Sequence, residues 1–281
     1  MRVFLAVAVL TACGPSDRGQ PAADGPAQPD ASTIDAPPSV DTSRVYAHSG
    51  LMLYRLDNLT LAATPIGPMT GLDTNQNLLD LAVNKDDALF GITRDKLYSL
   101  SATTGAATLV KDLSANSRGF TSLSFAPDAD PSNPDILVTA NDQGDVFQID
   151  VTGNQAVATQ IGSYGTDSTL GKIVSSGDLI AVRGFGVYAT VDVGSGTLDY
   201  LAKLDPANNW KATLIGPTGF DKIFGLGFWG GKIYGFVDDG FDAGTGDVIE
   251  LDPDTGAGLS LGQANIRWFG AGVSTNAPII L

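Results

Sequence analysis

Four shortages bound what this chain can do. It has one cysteine, Cys13, and one histidine, His48. A single thiol excludes disulfides within the chain and any thiolate metal site. A single imidazole excludes multi-histidine metal centres, and a Ser–His–Asp triad would have to use His48. That residue stands beside Ser49-Gly50 and reads as part of a turn. Glutamate also occurs once, at Glu250, and basic residues are outnumbered by acidic ones, 16 to 31, for a formal net charge of −15. Nucleic-acid binding needs basic patches that displace counterions, and adsorption to anionic lipid needs polybasic segments. Neither partner is expected. No G-x-S-x-G elbow and no GK[ST] phosphate loop occurs.

What is present begins with "MRVFLAVAVLTAC". Arg2 supplies a positive charge, and the apolar run Val3 to Leu10 falls far short of the roughly 20 residues of a spanning helix. It suits the core of a secretory signal. The run ends in Leu10-Thr11-Ala12-Cys13, which resembles a bacterial lipobox. The resemblance implies a signal peptide over 1–12 and lipidation of Cys13 as first mature residue. Gly14 beside it, being other than Asp, implies sorting to the outer membrane. Residues 14–43 carry six prolines and only two large aliphatic residues, Ile34 and Val40. Such a segment cannot bury enough apolar surface to offset chain entropy and reads as an extended tether.

From residue 44 onward, strand-like alternation prevails, punctuated by 31 of the chain's 34 glycines. One phrase recurs: "MLYRLD" (52–57), "KLYSLS" (96–101), "DVFQID" (145–150), "VYATVD" (187–192) and "DVIELD" (247–252). Its closing Asp, or Ser101, precedes turns such as "VTGN" and "PDTG", where a carboxylate can accept backbone N–H bonds. Upstream of each hairpin lies a second block, as in "LLDLAVNKDDALFGIT" (78–93) and "IFGLGFWGGKIYGFVDDG" (223–240). Block plus hairpin makes four strands. Units of this period are those of a β-propeller. A last block, "IRWFGAGVSTNAPIIL" (266–281), has no hairpin after it, and the first hairpin has no full block before it. Pairing the two closes a ring of five four-stranded blades over 44–281 and removes an open edge. A sixth blade would have to hide near residues 202–222. The hairpins resemble bacterial YVTN/PQQ-like propeller repeats, a resemblance that implies fold and not activity. Trp210, Trp229 and Trp268 do not recur at one blade position, so no quinone cofactor is expected.

Candidate sites are few. Glycoside hydrolysis needs two facing carboxylates, and Asp80, Asp178 and Asp238 are the residues from which a pair could come. Calcium prefers flexible loops rich in oxygen ligands. "DDGFDAGTGD" places Asp238, Asp239, Asp242 and Asp247 together, and "DADPSNPD" places Asp128, Asp130, Ser132 and Asp135 together. Phe228, Trp229, Trp268 and Phe269 are candidates for a ligand-stacking surface, with packing between blades as the competing explanation. The reading is a monomeric, lipid-anchored envelope protein whose propeller binds a protein, peptide or glycan without catalysis. A polysaccharide hydrolase and a purely structural component are the alternatives.

Overall fold

The computed structural model describes residues 44–58, 60–114, 119–128, 130, 132–153, 157–240 and 244–280. The lipobox, the tether and Asp242 lie outside the described residues. Five antiparallel sheets make five blades. Blade I consists of β21 (Gly270–Val273), β1 (Val45–His48), β2 (Met52–Leu56) and β3 (Ala63–Pro68). Blade II is β4 (Asp80–Val83), β5 (Leu89–Ile92), β6 (Lys96–Leu100) and β7 (Ala107–Asp112). Blade III is β8 (Ser124–Ala126), β9 (Ile136–Ala140), β10 (Asp145–Ile149) and β11 (Ala158–Ser163). Blade IV is β13 (Gly171–Val182), β14 (Gly186–Val193), β15 (Tyr200–Asp205) and β16 (Lys211–Pro217), with short β12 (Thr166–Asp167) added beside β13. Blade V is β17 (Ile223–Trp229), β18 (Lys232–Asp238), β19 (Gly246–Leu251) and β20 (Gly258–Ala264).

The chain is therefore an all-β, five-bladed propeller. Its inner strands touch in a closed cycle, β4 to β8 to β13 to β17 to β21 and back to β4. The two chain ends close it, because β21 pairs with β1 from Val45↔Val273 to His48↔Gly270. The C-terminal block supplies one strand of the composite blade and β1 supplies the second.

The third strands bury their apolar positions and turn the polar ones outward. In β6, Leu97, Tyr98 and Leu100 are buried while Lys96 and Ser99 are less so. The residue ending each phrase then caps its turn. Asp150 Oδ1 accepts N–H bonds from Thr152 (2.8 Å) and Gly153 (2.9 Å). Asp252 Oδ1 accepts from Asp254 (2.8 Å), and Ser101 Oγ from Thr104 (3.2 Å). Gly105 and Gly256 close two of these turns at φ 77° and 80°, where a side chain would be strained.

Blade IV corrects one alignment. "VYATVD" lies in β14, the second strand of its blade, and the true sibling is "YLAKLD" in β15. A shared irregularity proves the equivalence. The register between third and fourth strands slips at Leu53/Tyr54, Leu97/Tyr98, Val146/Phe147, Leu201/Ala202 and Val248/Ile249. Asp205 then caps a 3-10 turn, Pro206–Asn208, through the Ala207 N–H. The interval near residues 202–222 thus holds β16 and no sixth blade.

The bulges also carry blade-to-blade contact. A Cβ on Gly67, Gly162 or Gly216 would lie 2.1–2.2 Å from a carbonyl oxygen in the next blade's turn, at Thr104, Asn209 and Thr255 respectively. Blade II has Lys111 at that place, and its ammonium donates to the Gly153 carbonyl of blade III. The apolar core sits between blades, in clusters such as Leu226, Phe228, Phe236 and Trp268 with Val45 and Leu56.

Candidate functional site at the mouth of the ring

One column of the inner strands decides the centre of the molecule. Asp80 and Asp178 each precede a leucine, and they bond alike. Asp80 accepts from the N–H of Leu81 (2.8 Å) and, in the next blade, of Leu123 (2.6 Å). Asp178 accepts from Leu179 (2.5 Å) and, in the next blade, from Leu226 (2.6 Å). In register, the column reads Asp80, Ser122, Asp178, Gly225 and Gly270. Small residues are needed where the strands crowd. A Cβ on Gly270 would stand 2.7 Å from Asp80 Oδ1, and one on Gly225 would stand 2.7 Å from the Ala271 nitrogen.

Both carboxyls are fully buried, and each feels the other through its charge and a side-chain hydrogen bond. Burial raises both, and for Asp80 the charge of Asp178 adds to it. Asp178 is pushed up to about 8 against the pull of Asp80 and of the Leu226 and Leu179 N–H groups. The pair therefore keeps at least one proton at neutral pH. His48 is not a turn residue. It ends β1 with no exposure, its Nδ1–H donates to the Ser49 carbonyl (2.8 Å), and a Gly270 Cβ would lie 2.7 Å from its Nε2. Burial lowers its pKa to about 4, opposed by the Ser49 and Leu79 carbonyls. Tyr164 is buried nearby, its hydroxyl raised by burial and then by Asp178.

Directly above this layer, the preceding column opens to solvent. Leu79 of blade II, Thr121 of III, Gly177 of IV, Phe224 of V and Phe269 of I line one cavity of about 250 Å³. Phe120 and Ser176 complete its wall, and Arg94, on the turn between β5 and β6, stands at its rim. Every blade contributes. Beside it, Asp199 is 1% exposed, accepts the Ile223 N–H (2.8 Å), and is pushed up to about 7 by burial, with Asp192 adding to the shift.

The chain matches no known family model. No curated protein matches it in sequence either. Among solved structures, it is similar to a chain of the nidogen/laminin complex at 12% identity, covering 85% of this chain and 100% of that one, with a TM-score of 0.47. A protein described as TolB from Agrobacterium tumefaciens gives 16% identity, 81% and 79% coverage and a TM-score of 0.47. A symmetrical protein studied for its de novo evolutionary emergence gives 19%, 81% and 93%, and 0.44. At these identities the likeness is one of fold.

The sequence-derived candidates separate sharply in space. Asp80 and Asp178 meet, but Asp238 is far from them in role. Its Oδ1 accepts from Arg267 Nε (2.9 Å) and its Oδ2 from Arg267 Nη2 (2.7 Å). Burial opposes this ionisation, yet the guanidinium holds the Asp238 carboxyl below its ordinary value. Asp239 Oδ2 accepts from Thr245 (2.9 Å) and Gln263 (2.7 Å). Asp247 lies in β19, with a buried Oδ1. A cation here would have to displace the Arg267 guanidinium, and among the described residues no three His, Cys, Asp or Glu side chains are grouped to hold a metal. The described side chains of that loop do not fit calcium.

The other acidic loop is tied down as well. Asp135 Oδ1 accepts from Arg183 of blade IV (3.2 Å), and its Oδ2 from Thr275 Oγ1 (2.6 Å) and the Lys85 N–H (3.1 Å). Asp128 and Asp130 cap turns at the Asp130 and Ser132 N–H groups, each at 2.9 Å.

Of the four aromatic candidates, only Phe269 reaches the mouth. Phe228 and Trp268 are 0% and 1% exposed. Trp268 packs edge-on against Tyr54 and Phe236, with centroids 5.6 and 5.4 Å apart. Trp229 forms a wall of a separate cleft of about 530 Å³, with Arg55, Thr64 and Ile66. That cleft is larger than the mouth but draws on two blades only. Leu79, Phe120, Phe224 and Arg94 were not singled out from sequence. For Leu79 and Phe224 the signal was the column one residue before the Asp/Ser/Gly column.

Proposed function

We propose that this chain is a non-catalytic, lipid-anchored cell-envelope protein whose propeller serves as a binding platform, with the five-blade mouth as the site where a partner protein, peptide or glycan docks. The observation that carries this reading is the convergence of the half-buried Leu79, Phe224 and Phe269 on one open cavity at the ring axis, with the buried Phe120 behind them. Large apolar side chains turned toward solvent at one place are how proteins mark contact sites.

The carboxyls argue the same way. A glycosidase holds its acid pair about 5–9.5 Å apart, with sugar or water between. Asp80 and Asp178 bond directly to each other and to four backbone N–H groups. This arrangement leaves no place for a substrate between them. Their work is to join inner strands of neighbouring blades.

The site is tested by selecting ligands from a peptide library and a glycan array with the purified full chain, then measuring affinity for Phe224→Ala/Phe269→Ala. The expected result is a loss of at least tenfold, with the thermal midpoint unchanged within a few degrees. Unchanged affinity would place the binding face elsewhere. The anchor is tested separately. Cys13→Ala is expected to move the protein from the detergent phase to the aqueous phase on phase partitioning. Retention in the detergent phase would overturn lipidation at Cys13.

A further inference from the structure

We infer that the mouth takes one aromatic side chain of a partner polypeptide, and that the Asp238–Arg267 pair is a positioning element that prepares Phe269 to receive it. This rests on the mouth being the binding face and names what that face recognises.

Size comes first. A dry apolar cavity of about 150 Å³ holds a benzene ring, whereas pockets for drug-sized ligands run from about 300 to 1,000 Å³. At about 250 Å³, the mouth suits one ring-bearing side chain better than a run of sugar rings. Sugars also need polar groups to orient them. The Thr121 hydroxyl on the cavity wall is engaged already, with Ser175 Oγ at 3.0 Å and the Ala140 carbonyl at 3.2 Å.

The setting of Phe269 comes next. Its N–H donates to the His48 carbonyl (2.9 Å), which ties its backbone to the end of β1. Two residues earlier, Arg267 lays its guanidinium over the ring, with Cζ 5.1 Å from the centroid. Arg267 is held in turn. The buried Asp238, at the end of β18, accepts from its Nε (2.9 Å) and its Nη2 (2.7 Å). The Gly240 N–H donates to the same carboxylate (3.1 Å). A fork gripped at two atoms has little freedom, and the ring under it is held in place.

Electrostatics then select the guest. An aromatic ring is negative over its faces and positive at its edge. The guanidinium occupies one face of Phe269 and draws π density toward itself. What Phe269 turns to the cavity is therefore its other face or its edge, each made more positive. Either attracts the electron-rich face of a second ring. Sugar C–H groups and a lysine ammonium, being positive themselves, gain less there.

The experiment titrates the full chain with N-acetyl-phenylalanine methylamide and with its cyclohexylalanine counterpart, followed by chemical-shift changes. A merely apolar pocket favours the saturated ring, which is the more hydrophobic. The phenyl compound is instead expected to bind about threefold more tightly or better, the low end of what an aromatic pair adds beyond area burial. That preference should vanish in Asp238→Asn/Arg267→Leu, which removes both charges together and leaves no buried carboxylate unpaired. Arg267→Lys, the milder change, keeps a charge but loses the fork and should retain only part of the preference. Equal binding by the parent, or a preference for the saturated ring, would overturn the aromatic recognition. A phenyl preference undiminished in the variants would overturn the role of Arg267. Binding of neither compound, while a library ligand still depends on Phe224 and Phe269, would overturn the inference alone. If no ligand depends on those phenylalanines, the platform reading falls and the inference with it.

Discussion

Gly270→Val leaves no stably folded propeller. The added Cβ alone would stand 2.7 Å from Asp80 Oδ1, 2.7 Å from His48 Nε2 and 2.8 Å from the Asp80 Cα. Two of these are buried polar atoms with fixed surroundings, and the third is backbone, so none can give way cheaply. Overpacking a core by a methylene or two costs about 1–3 kcal/mol. Here the same change also prises β21 from β1, the pairing that closes the ring. Whole domains are stable by only about 5–15 kcal/mol. The expected result is loss of the cooperative thermal transition, or aggregated protein on size exclusion. Gly196→Ala is the control, since its Cβ would meet nothing nearer than the Val193 carbonyl at 3.7 Å. A Gly270→Val protein melting within a few degrees of the parent would contradict the closure described here.

The second large effect is on stability against pH. For a carboxyl whose folded pKa is raised, the neutral form is favoured in the fold. Its contribution is full below the ordinary 3.8 and is lost as pH rises through the folded value, about 8 for Asp178 and about 7 for Asp199. Asp80 acts in the same direction. His48 opposes them on the acid side. Its folded pKa of about 4 lies below the ordinary 6.5, so its contribution is full above 6.5 and is lost as pH falls toward 4. A shift of that size is worth about 3 kcal/mol. Two raised carboxyls outweigh one imidazole above pH 4, so stability should already be falling at pH 5.5 and decline further toward pH 8.5. At roughly 2–4 °C per kcal/mol for a domain of this size, the thermal midpoint should fall by roughly 5–10 °C over that interval. Asp178→Asn should flatten the decline, because an amide cannot ionise, at the cost of one acceptor for the Leu179 or Leu226 N–H. A midpoint that holds or rises from pH 5.5 to 8.5, with no change in the variant, would contradict a proton-holding pair.

How much of this was legible beforehand depended on whether a residue's role is set locally. The phrase in β6 could be read because its alternation and its capping Ser101 act within a few residues. In blade IV, β14 and β15 both carry the alternation, and the usual Thr-Gly turn is replaced by the Asp205-capped 3-10 turn. Local pattern could not say which was the third strand. The bulge at Leu201/Ala202, a property of the paired strands, could. Asp80 and Asp178 were named among three carboxylates with nothing to select them. The selecting fact is that "DLAV" and "DLIAV" occupy one column while the neighbouring columns offer Ser122, Gly225 and Gly270. That fact emerges only when inner strands are aligned by their contacts around the ring. The aromatic residues show the same limit. Phe224 and Phe228 lie in one strand, yet one is at its mouth end and the other in the core between blades.

The central claim is a division of labour, with recognition at the mouth and carboxyls beneath it that hold blades together. It is tested most directly by measuring, at pH 5.5, the affinity of one mouth ligand for Phe269→Ala and for Asp178→Asn. At that pH the Asp178 carboxyl is largely neutral and asparagine is close to it in shape. The account predicts that Phe269→Ala loses at least fivefold in affinity at an unchanged thermal midpoint, while Asp178→Asn binds like the parent. Parent-like binding by Phe269→Ala, with binding or turnover abolished in a folded Asp178→Asn protein, would contradict it and make the buried pair the functional centre.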